Sequence, residues 1–161
     1  MSDVVIGKGK LSGKGLYAAR NFKKGEVVKR WNLKELSQAQ FNALPESEYM
    51  FVHSFWGKMY LFSEPSRYIN HSVNPNVVSN FEKKADYAAR SIKKGEAITT
   101  NATMEVLYEL ETFIKAQERE SITNFKRLKG GYRNATVSYR LPNGTLKKVK
   151  LQRIKGNWHI L

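Results

Sequence analysis

Residues Ser66–Val77 read "SRYINHSVNPNV". Propensity alone predicts a strand followed by a turn. Asn70, His71, Asn74 and Asn76 are the residue types that satisfy backbone groups around a proline such as Pro75. The same phrase lies on either side of this stretch. "YAARNFKKGE" runs from Tyr17 to Glu26, and "YAARSIKKGE" runs from Tyr87 to Glu96. They differ only at Asn21/Ser91 and Phe22/Ile92. Each copy predicts a strand, an apolar anchor (Phe22 or Ile92), a tight turn and a second strand ("VVKRW" or "AITT"). Gly25 and Gly95 supply the positive φ angle of the turns. Two copies, seventy residues apart, predict a pseudo-symmetric β core rather than a solenoid.

Further out, "LKELSQAQFNAL" places Leu33, Leu36, Phe41 and Leu44 at helical spacing, with Ser37 as a cap and Pro45 as the stop. "YMFVHSFWGKMYLF" predicts a hairpin turning at Trp56–Gly57. Its aromatic residues (Tyr49, Phe51, Phe55, Trp56, Tyr60, Phe62) suit a core better than a substrate channel. "TMEVLYELETFIKAQERE" predicts a helix capped by Thr103, with a stripe of Val106, Leu107, Leu110, Phe113, Ile114 and Gln117. The tail predicts a three-stranded meander over "NATVSYRL", "TLKKVKLQRI" and "WHIL", with basic residues on its wet face. A junction near residue 103 divides the chain into 1–102 and 103–161.

Composition narrows the chemistry. The 161 residues contain no cysteine, which excludes disulfides, thiolate zinc sites and cysteine nucleophiles. His53, His71 and His159 have no metal-ligand spacing, so no metal site is expected. The first fifteen residues lack the apolar run of a signal peptide, and no stretch nears the ~18 apolar residues of a membrane span. An intracellular protein, cytoplasmic or DNA-associated and not secreted, is expected. The net charge is +14, and it is unevenly spread. Residues 121–161 hold ten basic side chains and no acidic one. That tail predicts attraction to nucleic acid or to an acidic protein face.

Three blocks, in order, resemble the SET domain family of protein lysine methyltransferases. "GKGLYAARNFKKGEVV" is similar to the family's Gly-x-Gly opening. "RYINHSVNPN" is similar to its Arg-hydrophobic-hydrophobic-Asn-His-Ser-Cys-x-Pro-Asn block. "AARSIKKGEAITTNA" is similar to the closing block that ends in Tyr-Asp-Tyr. The resemblance implies a mostly β fold, the β-clip with a pseudoknot joining the second and third blocks, here followed by a C-terminal helix and a small antiparallel meander. It implies S-adenosylmethionine as cofactor and a protein substrate whose lysine enters a narrow aromatic channel from the opposite face. Lys14, Gly15 and Leu16 would contact the cofactor's methionine part. Asn70 and His71 would take its amino group and adenine, with Arg67 beside them.

The chain also departs from the family. The closing tyrosine position falls on Ala102, and the Asp before it is Asn101. The usual catalytic hydroxyl is therefore missing. Three explanations stay open: a weakened or dead relative, another tyrosine (Tyr108, Tyr87 or Tyr60) in its place, or a Tyr→Ala change introduced to disable the protein. The family cysteine falls on Val73, a conservative exchange for a small buried residue. A position often aromatic in the family is Ser79, with Phe81 two residues on. The family thus implies a lysine methyltransferase, inactive as written if Ala102 is decisive. The alternative is a non-catalytic module binding nucleic acid or an acidic partner through its basic lobe.

Overall fold

The computed structural model describes residues 3–131 and 133–161. The chain begins with strands β1 (Val4–Leu11), β2 (Lys14–Ala18), β3 (Val27–Arg30) and β4 (Leu33–Leu36). Helix α1 (Gln38–Asn42), a 3-10 turn (Glu46–Phe51), β5 (Val52–Phe55) and β6 (Lys58–Phe62) come next. A second 3-10 turn (Ser66–Tyr68) leads to β7 (Asn70–His71), β8 (Val77–Asn80), β9 (Ala85–Ala88) and β10 (Thr99–Thr100). Helix α2 (Ala102–Glu118) and strands β11 (Thr123–Gly130), β12 (Asn134–Arg140), β13 (Leu146–Ile154) and β14 (Asn157–Ile160) complete the chain.

The chain forms two compact units. The first holds the residues up to Leu33 and Phe62–Glu105, and the second holds Lys34–Leu61 and Val106–Leu161. This division does not follow a single cut at residue 103, because the segment 34–61 is grouped with the C-terminal residues.

The first unit is built from small sheets: β1-β2, β3-β9-β8, and the parallel pair β7-β10. Its core joins Val4, Leu16, Ala18, Phe22, Val28, Val77, Ala88, Ile92 and Ile98. The repeated phrase is the reason these sheets close on one another. Phe22 and Ile92 exchange both backbone hydrogen bonds, at 2.8 and 2.9 Å. Gly95 N–H donates to the Ala18 carbonyl and Gly25 N–H to the Ala88 carbonyl, both at 2.8 Å. Ala18 N–H donates to Glu96 and Ala88 N–H to Glu26, again at 2.8 Å. Each bond thus has a counterpart seventy residues away, and the two copies complete each other's strand ends. Gly25 and Gly95 have φ of 89° and 91°. An L side chain reaches that region only under strain.

The second unit contains the β4-β6-β5 sheet, α1, most of α2 and the β11-β12-β13-β14 sheet. The β5–β6 hairpin turns at Trp56 and Gly57, both at positive φ, as expected. Two expectations are corrected here. The 33–44 stretch is not one helix, since Leu33–Leu36 is a strand and only Gln38–Asn42 is helical. The cause is Ser37: its extended backbone and its reciprocal capping box with Gln40 start the helix there and leave the preceding residues extended. The C-terminal sheet has four strands, not three. "TNFKRLKG" forms β11, whose alternation is broken by two register shifts.

Helix α2 packs Leu110, Phe113 and Ile114 against Val137, Tyr139, Leu151 and Trp158. Gln117 lies exposed rather than on the stripe, and Glu109 is fully buried instead. Ser54 N–H donates to that carboxylate at 2.8 Å, and His53 Nδ1 lies 3.3 Å from it. The cap of α2 is Asn101 rather than Thr103, because Asn101 Oδ1 accepts the Thr103 N–H at 3.1 Å. Among the described residues no helix is long and apolar enough to cross a membrane. No group of three or more His, Cys, Asp or Glu is placed to hold a metal ion there.

Candidate active site

The β1–β2 hairpin turns at Ser12 and Gly13, whose φ angles of 53° and 75° suit a tight two-residue turn. Beyond the turn, Gly15 faces Asn70. A Cβ at Gly15 would stand 2.8 Å from Asn70 Nδ2 and 3.0 Å from the Lys8 carbonyl, so only glycine admits this approach. Asn70 fills the space with a three-way clasp. Its Oδ1 accepts the Lys10 N–H at 3.0 Å. Its Nδ2 lies 3.4 Å from the Lys14 carbonyl and 3.3 Å from that of Tyr68, and donates to both. The hairpin is thereby tied to β7.

On its other side β7 pairs with β10, Asn70 opposite Thr99 and His71 opposite Thr100. Ser72 N–H extends the ladder to the Thr100 carbonyl at 2.9 Å. Asn76 binds the same closing segment. Its Nδ2 donates to Ala97 at 2.7 Å, and its Oδ1 accepts the Thr99 N–H at 2.9 Å. Asn70 and Asn76 of "NHSVNPN" therefore do satisfy backbone groups, chiefly those of distant strands rather than those around Pro75. This is the joining of second and third blocks that makes the pseudoknot. Valine at 73 is not a buried small residue: it is 90% exposed, at the outer tip of the turn.

His71 Nδ1 accepts the Ala102 N–H at 3.0 Å. The neutral ring therefore carries its proton on Nε2. This bond places Ala102 beside the second block, at the first residue of α2. Leu16 is fully buried in the core, so its part in the site is to hold its strand. Arg67 Nε donates to the Phe62 carbonyl at 2.8 Å. Lys14 Nζ lies 5.0 Å from the centre of the Tyr68 ring. Of the sequence-derived site residues, Lys14, Gly15, Asn70, His71 and Ala102 are thus joined through direct contacts or a shared clasp.

The sequence reading missed a polar cluster beside them. Lys29 Nζ pairs with Asp86 Oδ2 at 2.8 Å, and both side chains are nearly inaccessible to solvent. Ser79 Oγ donates to Asp86 Oδ1 at 2.7 Å and lies 3.3 Å from Thr100 Oγ1. Lys29 also reaches the Ser66 carbonyl at 3.3 Å. Lys29, Ser79, Asp86 and Thr100 line a cavity of about 20 Å³ with Trp31, Phe62, Ile69 and Glu105, room for about one water. Phe81 closes edge-on against Trp31, with ring centroids 5.4 Å apart. The available signal was a charge inside each of two apolar strands, Lys29 after "VV" and Asp86 before "YAA". The aromatic residues of 49–62 divide as a core does: Phe51, Phe55 and Phe62 are buried, while Trp56 is half exposed.

Comparison with known proteins bears on this arrangement. The model of the SET domain family matches residues 13–101, more than half of the chain, and ends one residue before Ala102. A curated relative, the Drosophila melanogaster histone-lysine N-methyltransferase trr, is 32% identical over 114 residues. The match covers 61% of this chain, which spans only 5% of that much longer relative. Among solved structures, an active polycomb repressive complex 2 in the basal state aligns with a TM-score of 0.47 at 23% identity. It covers 61% of this chain and 15% of that one.

Proposed function

The chain belongs to the SET domain family, and from that premise we propose that it is an S-adenosylmethionine-dependent protein-lysine N-methyltransferase. The observation that carries the reading is the Asn70 clasp. It joins the Lys14–Leu16 strand to the Asn70–His71 strand, and the His71 bond adds Ala102; these are the residues that the family resemblance links to cofactor and catalysis. The residues present fit such a cofactor. The place of a Cβ at Gly15 is taken by the Asn70 carboxamide, whose polar atoms are engaged with the chain. Lys14 and Arg67 supply positive charge for the cofactor's carboxylate, and exposed His71 offers a ring face for adenine.

When bound, the cofactor supplies an electrophilic methyl group on a sulfonium. The chain's own residues have a positioning task. They must orient the target amine in line with that methyl, keep water out, and favour the neutral amine over the ammonium, whose ordinary pKa is about 10.4. Ala102 contributes a backbone N–H to His71 and no side-chain hydroxyl. Its methyl side chain therefore cannot orient an amine by hydrogen bonding. This observation favours a second reading, a SET-like module that binds cofactor or partner without turnover.

Calorimetry with S-adenosylmethionine and its demethylated product tests the first part. Binding is expected, and its loss is expected in Asn70→Ala once circular dichroism shows that the variant is folded. No heat of binding to the parent chain would defeat the enzyme reading. Methyl transfer to a panel of basic proteins, compared between the parent and Ala102→Tyr, tests the second part. Transfer by the tyrosine variant alone identifies a disabled enzyme. Cofactor binding with no transfer by either chain supports the module.

A further inference from the structure

The C-terminal sheet turns one face to α2 and the other to solvent, and the exposed face is ordered. Directly opposed residues of antiparallel strands share a face. Lys126 stands opposite Ser138, and Ser138 opposite Lys148. Lys129 stands opposite Thr136, and Thr136 opposite Lys150. Two neighbouring rows therefore each read lysine, hydroxyl, lysine across β11, β12 and β13. All four lysines are exposed. None has a carboxylate partner among the described residues.

Four other basic residues of the tail are held by partners, and two more lie outside the rows: Lys155 Nζ stands 5.4 Å from the centre of the Tyr49 ring, and exposed Arg133 precedes β12. Lys147 is bound by Glu118 at 2.8 Å, and Arg153 is buried with Glu109. Arg127 donates to the Gly131 and Asn134 carbonyls, and Arg140 to the Gly144 carbonyl. The sheet thus sorts its cations, and four lysines remain as a lattice on the wet face. Its backbone dimensions are about 10 Å across the strands and about 7 Å along them.

We propose that this face docks a double-stranded nucleic acid through its phosphates. A regular array of four exposed ammonium groups, set about the half-buried Ser138 and the buried Thr136, matches a polyanion that repeats its charge at fixed spacing. A protein partner would need apolar or aromatic anchors at the centre of the patch. Neither row contains one: Leu128 of β11, half exposed between Lys126 and Lys129, is a single aliphatic side chain, and the exposed apolar residues of β13, Leu146 and Ile154, lie at the ends. A single strand would need aromatic rings for its bases to stack on. No Phe, Tyr or Trp lies in either row. The inference stands whether or not the first unit transfers methyl groups.

Fluorescence anisotropy across a salt series tests it, with the full chain and labelled 20-base-pair DNA, 20-base-pair RNA, a 20-nucleotide single strand and polyglutamate as probes. Duplex binding is expected to weaken with salt at a log–log slope of about −3.6 for four DNA phosphates. The variant with Lys126, Lys129, Lys148 and Lys150 all changed to Gln should lose that slope. A control removing as many charges from the turns of the first unit (Lys23, Lys24, Lys93 and Lys94 to Gln) should keep it. Should the fourfold variant fail to fold, the Lys148→Gln/Lys150→Gln pair is expected to lower the slope by about 1.8. Equal losses in variant and control, or tighter binding of the single strand or of polyglutamate than of either duplex, would overturn the proposal. Comparing the two duplexes tells which backbone geometry the lattice prefers.

Discussion

The two copies of the repeated phrase share a frame and differ in what they enclose. Arg20 pairs with Glu26 as Arg90 pairs with Glu96, at 3.3 and 3.2 Å. Each glutamate also accepts the N–H of a lysine three residues earlier, at 2.6 Å from Lys23 and 3.0 Å from Lys93. The symmetry stops at the strands that leave the frame. Lys29 follows the first copy, and its counterpart after the second is Thr99. Asp86 precedes the second, and its counterpart before the first is the buried Leu16. The buried ion pair therefore exists once, on the side that holds the small cavity and Thr100. A duplicated phrase can fix a scaffold, while a site needs the places where duplication fails.

The largest expected effect comes from breaking the asymmetric element. Asp86→Ala leaves the Lys29 ammonium buried without its partner, and should cost about 3–5 kcal/mol in urea denaturation. Replacing both members (Lys29→Met with Asp86→Leu) should recover most of that loss, because the penalty lies in the unpaired charge. A single variant as stable as the parent would show that the pair does not hold this side of the frame.

A smaller effect tests the symmetric element. Gly25→Ala and Gly95→Ala place a Cβ in open space but at positive φ, so both should cost about 1–2 kcal/mol through backbone strain alone. The comparison predicts equal losses in thermal or chemical denaturation. A loss at one turn and none at the other would mean that the two copies do not share their load.

The sequence disclosed most where local chemistry and position agree. The repeat predicted the turns at Gly25 and Gly95, and "NHSVNPN" marked the clasp residue Asn70. It misled where one residue overrides a pattern. Leu33 and Leu36 carried helical spacing, but the Ser37 cap starts the helix later. The strand β11 stayed hidden because its register shifts put Phe125 toward the core and Leu128 outward. Lys29 and Asp86 were invisible as a pair, since fifty-seven residues separate them and only the fold opposes β3 to β9. For the same reason the tail's charge was legible as a total. Its sorting into paired cations and an exposed lattice depends on the strand register.

The smallest effect is electrostatic and concerns the two glutamates. The Lys23 N–H first, and then the Arg20 guanidinium, hold the Glu26 carboxyl below its ordinary range. The Lys93 N–H and the Arg90 guanidinium do the same for Glu96. Both groups are less protonated in the folded chain than in the unfolded one near their ordinary value of about 4.3. Their contribution to stability is therefore complete above that pH and declines as acid takes the pH down through the folded values. Carboxyl titration by NMR should find both midpoints below 4.3. Because the backbone bond is the larger cause at each site, Arg20→Ala and Arg90→Ala should raise the midpoints only part of the way. A full return to the ordinary value in either variant would show that the arginine, not the turn, sets the shift. A return in one copy only would show that the frame is less symmetric than its hydrogen bonds.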